Sequence, residues 1–430
     1  MLTRLLLRFA ALGLKFALTV VIARTLGFDA VAAYGLAVAA SVIASKALGL
    51  GFGPELNRRL SETNPLTAID DARALSIGYG ALYLLMAASF ALVATNDSIV
   101  ARLDRFALSV PLAWCVLLVA LSEHAAFEVN GWLFSLHRPR AGSVLLFVRT
   151  GVWSGLACAG LLAGVLHSIE AVLALWIATN AAVVAVGWRK IRAFAQRVRG
   201  LGLPAPTPHP RRMWTVWRRG LPFYAAAVIL ASLQYAERFI AGGRIGADAL
   251  GQYVFAWSIA NAVQTVAFAT VAVTAGPRLV RTLAATPDAF LRRTWQAIAA
   301  SAAVTLLVST GIVAAHRTLF AVAHEPVETG HVALLAVLLG SFVLRAAADV
   351  LWSAAIALRA GGVVLTAIAG LALLYVPVAL HLISASGAEG AALAHLAASI
   401  AIATVLALIV ARRAGDRRTT PALKEPSHAG

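Results

Sequence analysis

Gly27-Phe28-Asp29-Ala30 with Tyr34 beyond it, and Gly246-Ala247-Asp248-Ala249 with Tyr253 beyond it, are one short pattern written twice. Every matched pair is 219 positions apart. Each copy follows one long apolar run and opens another. The far end of that second run reads Gly53-Pro54 with Arg58-Arg59 following in the first copy, and Gly276-Pro277 with Arg278 and Arg281 in the second. There the spacing is 223, so the later copy has gained four residues. Ordinary residue chemistry suggests a role for each position. Glycine permits a turn with positive φ, and aspartate can cap the open amides of the next helix. Tyrosine suits a membrane interface, and proline is expected to end the even-numbered run.

Outward from these turns, the 430-residue chain is 60% hydrophobic and 13% charged, with a mean hydropathy of +0.83. A soluble domain carries about 25% charged residues. Apolar runs long enough to span a bilayer fall at 5–23, 30–53, 74–95, 107–131, 141–166 and 169–188, then at 220–242, 249–276, 295–314, 331–357, 362–383 and 390–411. The fold class is therefore all-α integral membrane, with about twelve transmembrane helices. Lys15 interrupts the first run and Arg24 stands where a cleavage site would need a small residue, so this run is read as a span and not as a secretory signal. Six spans per copy is an even number, so the copies share one orientation. A pseudo-twofold axis along the membrane normal should relate them. The expected organisation is a six-helix bundle over 1–188, a connecting segment over 189–219, a second bundle over 220–411 and a basic, disordered tail over 412–430.

The 36 Lys and Arg fix an expected orientation. With the N-terminus cytoplasmic, 26 fall on the inner side (counting Arg8, at the inner edge of the first run, with Arg4), 5 in outer loops and 5 deeper within spans. Both termini are then inside. The net charge of +17 belongs to this pattern and not to nucleic-acid binding, because no aromatic-interleaved basic face or zinc spacing is present. Cys115 and Cys158 lie in separate apolar runs and read as small buried residues. In the connecting segment, Trp188, Ile191, Phe194 and Val198 recur at helical spacing among basic residues, which predicts an amphipathic helix on the inner leaflet. The stiff, proline-rich stretch 203–210 follows it. His316, His324, Glu325, Glu328 and His331 lack a complete ligand spacing and read as a solvated outer loop.

The stretch Ile22-Ala23-Arg24-Thr25-Leu26-Gly27-Phe28-Asp29-Ala30 through Tyr34-Gly35, with its echo Glu237-Arg238-Phe239-Ile240 through Gly251-Gln252-Tyr253, resembles the polysaccharide biosynthesis proteins. Those are O-antigen-type oligosaccharide flippases of the multidrug/oligosaccharidyl-lipid/polysaccharide (MOP) superfamily. The resemblance implies two six-helix bundles in alternating access. It also implies translocation of a polyprenyl-diphosphate-linked oligosaccharide across the bacterial cytoplasmic membrane, for O-antigen or exopolysaccharide synthesis. Membrane lipids surround such a protein, and a glycan polymerase or glycosyltransferases of the same pathway are its expected partners.

Ionisable residues inside spans point to a pathway without help from the family. The cations are Lys15, Lys46, Arg149, Arg238 and Arg345. Each would cost about 2.5–3.5 kcal/mol at mid-span, so they should face a wet cavity or pair. As a set they are the expected grip for an anionic head group, since Arg binds a phosphate through a planar fork. Arg345 and Asp349, and His124 and Glu128, stand four apart and could pair along one helix face. Lys15, Lys46 and Arg149 have no local acid. Glu123, His124, Glu128, Glu237 and Asp349 are the candidates for coupling transport to H+ or Na+. No other cofactor and no metal is expected. Asn130, Asn180, Asn261 and Gln264 could meet sugar hydroxyls, but helix–helix hydrogen bonds are the preferred reading. A cation-coupled multidrug antiporter of the same superfamily is the nearest alternative, disfavoured because a cavity rich in Lys and Arg repels cationic drugs. A membrane glycan polymerase, ligase or glycosyltransferase is the other. Against an enzyme stand the short outer loops and the lack of a nucleophile–base constellation.

Overall fold

The computed structural model describes residues 2–62, 64–105, 108–201, 210–323 and 329–419, and among these residues the regular structure is entirely helical. Helices α1 (Leu2–Leu26), α2 (Phe28–Ala47), α3 (Gly53–Leu60) and α4 (Leu66–Val93) hold the first three spans. After the short α5 (Asp97–Arg105), α6 (Val110–Ser135) is the fourth. The fifth is α7 (Pro139–Phe147) and α8 (Trp153–Leu162), joined by a π-helical turn at Val148–Val152. The sixth lies in α9 (Ile169–Gly200). In the second half, α10 (Pro210–Gly242) carries the seventh span, and α11 (Ala247–Ala267) with α12 (Val273–Ala285) forms the eighth through a π-turn at Phe268–Ala272. Helices α13 (Phe290–Val322), α14 (Thr329–Ala357) and α15 (Gly361–Thr419) complete the chain.

Among the described residues, ten stretches are long and apolar enough to cross a membrane, the last of them 56 residues long. That stretch is two spans, because the helix breaks at Gly387, where φ is 55°. Adding α10, with its apolar run 220–242, gives the expected twelve.

Helices pack within each half: α2 and α9 on α6, and α1 on α8; then α10 and α14 on α15, and α11 on α14. The members most open to lipid are α4 and α13, whose apolar windows are only 6% and 11% buried, whereas α14 is 61% buried at the centre of its bundle. Across the halves, α2 packs on α10 and α11, and α1 touches α11. The seam is tightest at the Phe28/Ala247 end. There a Cβ on Gly251 would overlap the Phe28 carbonyl, and one on Gly35 would come within 2.5 Å of Val254. Glycine at these two places lets the backbones close on one another. Phe28 meets Phe255 edge-on at 5.8 Å across the same seam.

Several local expectations need correction. Asp29 and Asp248 lie inside the first turns of their helices, behind Gly27 and Gly246, and neither cap position has a side-chain hydrogen bond. Their carboxylates act on the helix dipole instead. Gly27 has the expected positive φ of 88°, but Gly246 has φ −61°. Tyr34 and Tyr253 are buried in the protein and not placed at an interface. Pro54 does not end the second span: α2 stops at Ala47, Leu50 and Gly51 take positive φ, and Pro54 sits in the first turn of α3, where a missing amide costs nothing. Pro277 lies inside α12. The amphipathic segment after Trp188 is not a separate surface helix but the continuation of α9, and Ile191 and Ala195 pack on Leu60, Ile69 and Ala72. Most of the proline-rich stretch, residues 324–328 of the outer loop and the tail from 420 lie outside the described residues.

Candidate functional site

Two adjoining cavities lie between the halves and share Leu12, Lys15 and Thr265. The larger, about 520 Å3, runs between α1, α7 and the π-turn after α11. Its charged residues are Arg8, Lys15 and Arg149, and Phe127 and Phe268 form part of its wall. It reaches Leu7 and Arg8, near the N-terminal end of α1. The smaller, about 350 Å3, continues from Lys15 to Tyr34, Arg238 and Trp257, with Thr19, Ser258 and Asn261 also on its surface. Beyond it lies the seam closed by Gly35 and Val254. Three of the five intramembrane cations therefore line one continuous cleft.

Each of the three is held differently. Arg149 is buried and stands 3.7 Å from Glu123 of α6. Glu123 also accepts from Trp176 Nε1 at 3.1 Å and Asn180 Nδ2 at 3.0 Å, so its carboxylate is well fixed for a buried acid. Lys15 lies over the Trp176 ring at 5.6 Å, and that ring stacks on Trp153 at 4.5 Å. Arg238 is only 1% exposed. Its guanidinium sits 3.9 Å from the Trp257 ring centroid, and its Nη1 donates to the Gly35 carbonyl at 2.8 Å. Among the described residues, Nε and Nη2 have no acceptor. A cationic fork over an indole, with unpaired donors beside a cavity, is suited to an anion.

The other two cations are elsewhere. Lys46 is exposed and is not among the residues that line the cleft, although it stands 5.6 Å from the ring of Phe127, which Arg149 approaches at 5.3 Å. Arg345 is enclosed in the second bundle, where its Nε donates to Ser399 at 3.1 Å. The expected Arg345–Asp349 pair does not form among the described contacts: Asp349 accepts from Gln264 at 2.9 Å. Glu237, buried behind Arg238, accepts from Tyr253 at 3.0 Å. His124 does approach Glu128, at 3.9 Å, with Tyr83 hydrogen-bonded to the other ring nitrogen. This pair borders Gly49, where α2 breaks. Three of the four amide side chains make helix–helix or intraprotein hydrogen bonds, Asn130 to the Gly142 carbonyl at 2.8 Å among them; Asn261 lines the cleft.

Outside the spans, Arg58 is clamped by Glu55 and Glu62 at 2.7 and 2.8 Å. The Glu55 hydrogen bond, opposed in part by desolvation, holds its guanidinium pKa above the usual value. Clamped between two carboxylates, Arg58 is not free to receive an anion. Arg8 and the aromatic wall escaped the sequence reading. Arg8 stands seven residues before Lys15, hence on the same helical face, a spacing that could have revealed it. The Trp176–Trp153 stack comes from two separate spans and left no local signal.

The fold and the cleft together define a multi-pass membrane protein built as two six-helix bundles around a cation-lined cleft. The sequence profile of the family described as polysaccharide biosynthesis protein matches residues 2–283. The chain belongs to that family. No curated protein sequence matches it significantly. Its fold is shared by MOP-superfamily transporters. A multidrug-resistance transporter of the MATE family in an inward-facing conformation is 13% identical, covers 96% of each chain and has a TM-score of 0.66. The lipid II flippase MurJ, inward closed, is 11% identical over 95% of this chain and 87% of that one, with a TM-score of 0.63. A MOP transporter from Pyrococcus furiosus, described by a binding pocket of reverse polarity, is 12% identical over 96% and 93%, with a TM-score of 0.54.

Proposed function

We propose that this protein is a flippase that carries a polyprenyl-diphosphate-linked oligosaccharide across the bacterial cytoplasmic membrane by alternating access. The observation that carries the reading is the continuous cleft with Arg8, Lys15 and Arg149 toward one end and Arg238 at the other. A diphosphate cannot enter a bilayer core, and a sugar loses several kcal/mol for each hydroxyl stripped of partners. Cations and hydroxyl-bearing side chains along a wet passage offset both costs while the polyprenyl tail stays in lipid. Arg238 also ties α10 to the Gly35 carbonyl. A phosphate taking over that guanidinium would loosen the seam, coupling arrival of the head group to opening of the far end.

The same cationic lining disfavours cationic drugs as cargo. With Arg8 at the cytoplasmic mouth, the N- and C-termini are inside, as the loop charges suggest. For a coupling ion, H+ or Na+, the candidate acceptors are Glu128 with His124, beside the break in α2, and then Glu123, Glu237 and Asp349. The Glu128–His124 pair, beside the break in α2, is the first to test. Glycosyltransferases or a glycan polymerase would supply and consume the cargo. The test is translocation of a lectin-detectable polyprenyl-diphosphate oligosaccharide in proteoliposomes. Transport should fall at least tenfold in Arg238→Gln and in Lys15→Gln, equivalent to about 1.4 kcal/mol or more, and should hold in Lys46→Gln. Equal transport by all three variants would refute the assignment.

A further inference from the structure

A second basic cavity lies apart from the central cleft, on the outside of the second bundle. Helices α12 and α13 diverge from the turn at Pro287–Ala289 and leave a groove of about 660 Å3 between them. Small side chains on the facing turns, Ala275, Ala297 and Ala300 among them, keep it open. Its charged groups are Arg278, Arg281 and Arg293, with Thr274, Thr282 and Gln296 supplying hydrogen-bonding groups, and among the described residues no carboxylate lines it. Asp288 lies in the turn and not on the groove wall. The only protein contacts of these arginines among the described hydrogen bonds and ion pairs are Arg281 Nε to the Pro277 carbonyl at 3.4 Å and Arg293 Nη1 to Gln296 at 3.1 Å. Both acceptors are neutral. Arg278 and Arg281 are three apart on one helix, a like-charge spacing that disfavours the helix unless an anion sits between them.

The surroundings identify the anion's class. The groove lies where two spans leave the apolar region, and the exposed Trp295 on α13 is placed as interfacial tryptophans are. Further along, α13 presents Leu306 and Leu307, 57% and 75% exposed, to the lipid. A ligand here would meet arginines and hydroxyls at its head and an apolar helix face along its tail. The groove between α4 and α9 also contains arginines, but there Asp70 stands 3.6 Å from Arg199 and is itself part of the lining, so its charge is partly balanced. We infer that the α12–α13 groove is a binding site for the phosphodiester head group of an anionic membrane phospholipid, separate from the transport pathway.

The full-length protein would be reconstituted in nanodiscs of phosphatidylcholine alone or phosphatidylcholine mixed with an equal amount of phosphatidylglycerol. Retention of phosphatidylglycerol would be read by native mass spectrometry, alongside thermal unfolding. Wild type should retain the anionic lipid selectively and unfold at a higher temperature in the mixed discs. Each of Arg278→Gln, Arg281→Gln and Arg293→Gln should weaken retention roughly fivefold. Arg244→Gln, the same charge change at the opposite end, should leave it unaltered. Single variants that fold as wild type in pure phosphatidylcholine keep the comparison interpretable. Undiminished retention in all three, or an equal loss in Arg244→Gln, would overturn the site. If added polyprenyl diphosphate displaced phosphatidylglycerol from wild type, and the three substitutions lowered its binding instead, the groove would belong to the cargo and the inference would fail.

Discussion

Arg149 and Glu123 stand 3.7 Å apart on different helices, both largely buried. Removing one partner of such a pair leaves the other charge stranded, at a cost of about 3–5 kcal/mol. Glu123 is the more exposed to this argument, because Trp176 and Asn180 also donate to it. Glu123→Ala should therefore destabilise the purified protein by several kcal/mol, read as a lowered unfolding temperature in detergent. Replacing Glu123 and Arg149 together by apolar residues of similar volume should recover much of the loss. An unshifted melting curve for the single variant would mean that the pair contributes little. The sequence identifies both residues as intramembrane charges but cannot pair them, since residues 26 positions apart on separate spans share no local pattern. Arg345 and Asp349 show the reverse case. Their spacing allowed a pair, yet Ser399 and Gln264 from other helices took the two groups instead.

At the scale of helices, α2 and α11 are the repeat-related elements that close the seam, and Gly35 and Gly251 permit their approach. The sequence shows these helices as partners in a repeat, but not that each would supply a glycine to the other's surface. That follows from the crossing, which no single-helix periodicity encodes. Gly251→Ala places a methyl against the Phe28 backbone and should cost about 1–3 kcal/mol of overpacking in the closed form. A spin-label pair on α2 and α11 near Phe28 and Phe255 should then report a longer distance than in the parent protein. An unchanged distance would mean that this contact does not hold the end shut. The proline expectations failed for a related reason. Gly53-Pro54 opens α3 and Pro277 is absorbed within α12, because proline is also compatible with the first turn of a helix and, in membranes, neighbouring groups can satisfy the carbonyl that proline leaves without a donor.

For the whole molecule, the count of spans was legible because bilayer thickness sets the length of each apolar run, and the twofold repetition was legible from the Gly-x-Asp-Ala turns written twice. The distribution of cations was legible only as a list. Tertiary packing sorts Lys15, Arg149 and Arg238 into the cleft, leaves Lys46 off its lining and encloses Arg345 within the second bundle. Leu12 lies where the two cavities join, next to Lys15, whereas Leu307 faces outward on α13. A photoreactive amino acid at each position, with radiolabelled polyprenyl-diphosphate oligosaccharide in the membrane, tests the cleft directly. Labelled glycan should attach at position 12, and Arg238→Gln should abolish that attachment. Attachment at position 307 with none at 12, or attachment at 12 that survives loss of both Lys15 and Arg238, would contradict a head group carried between the bundles.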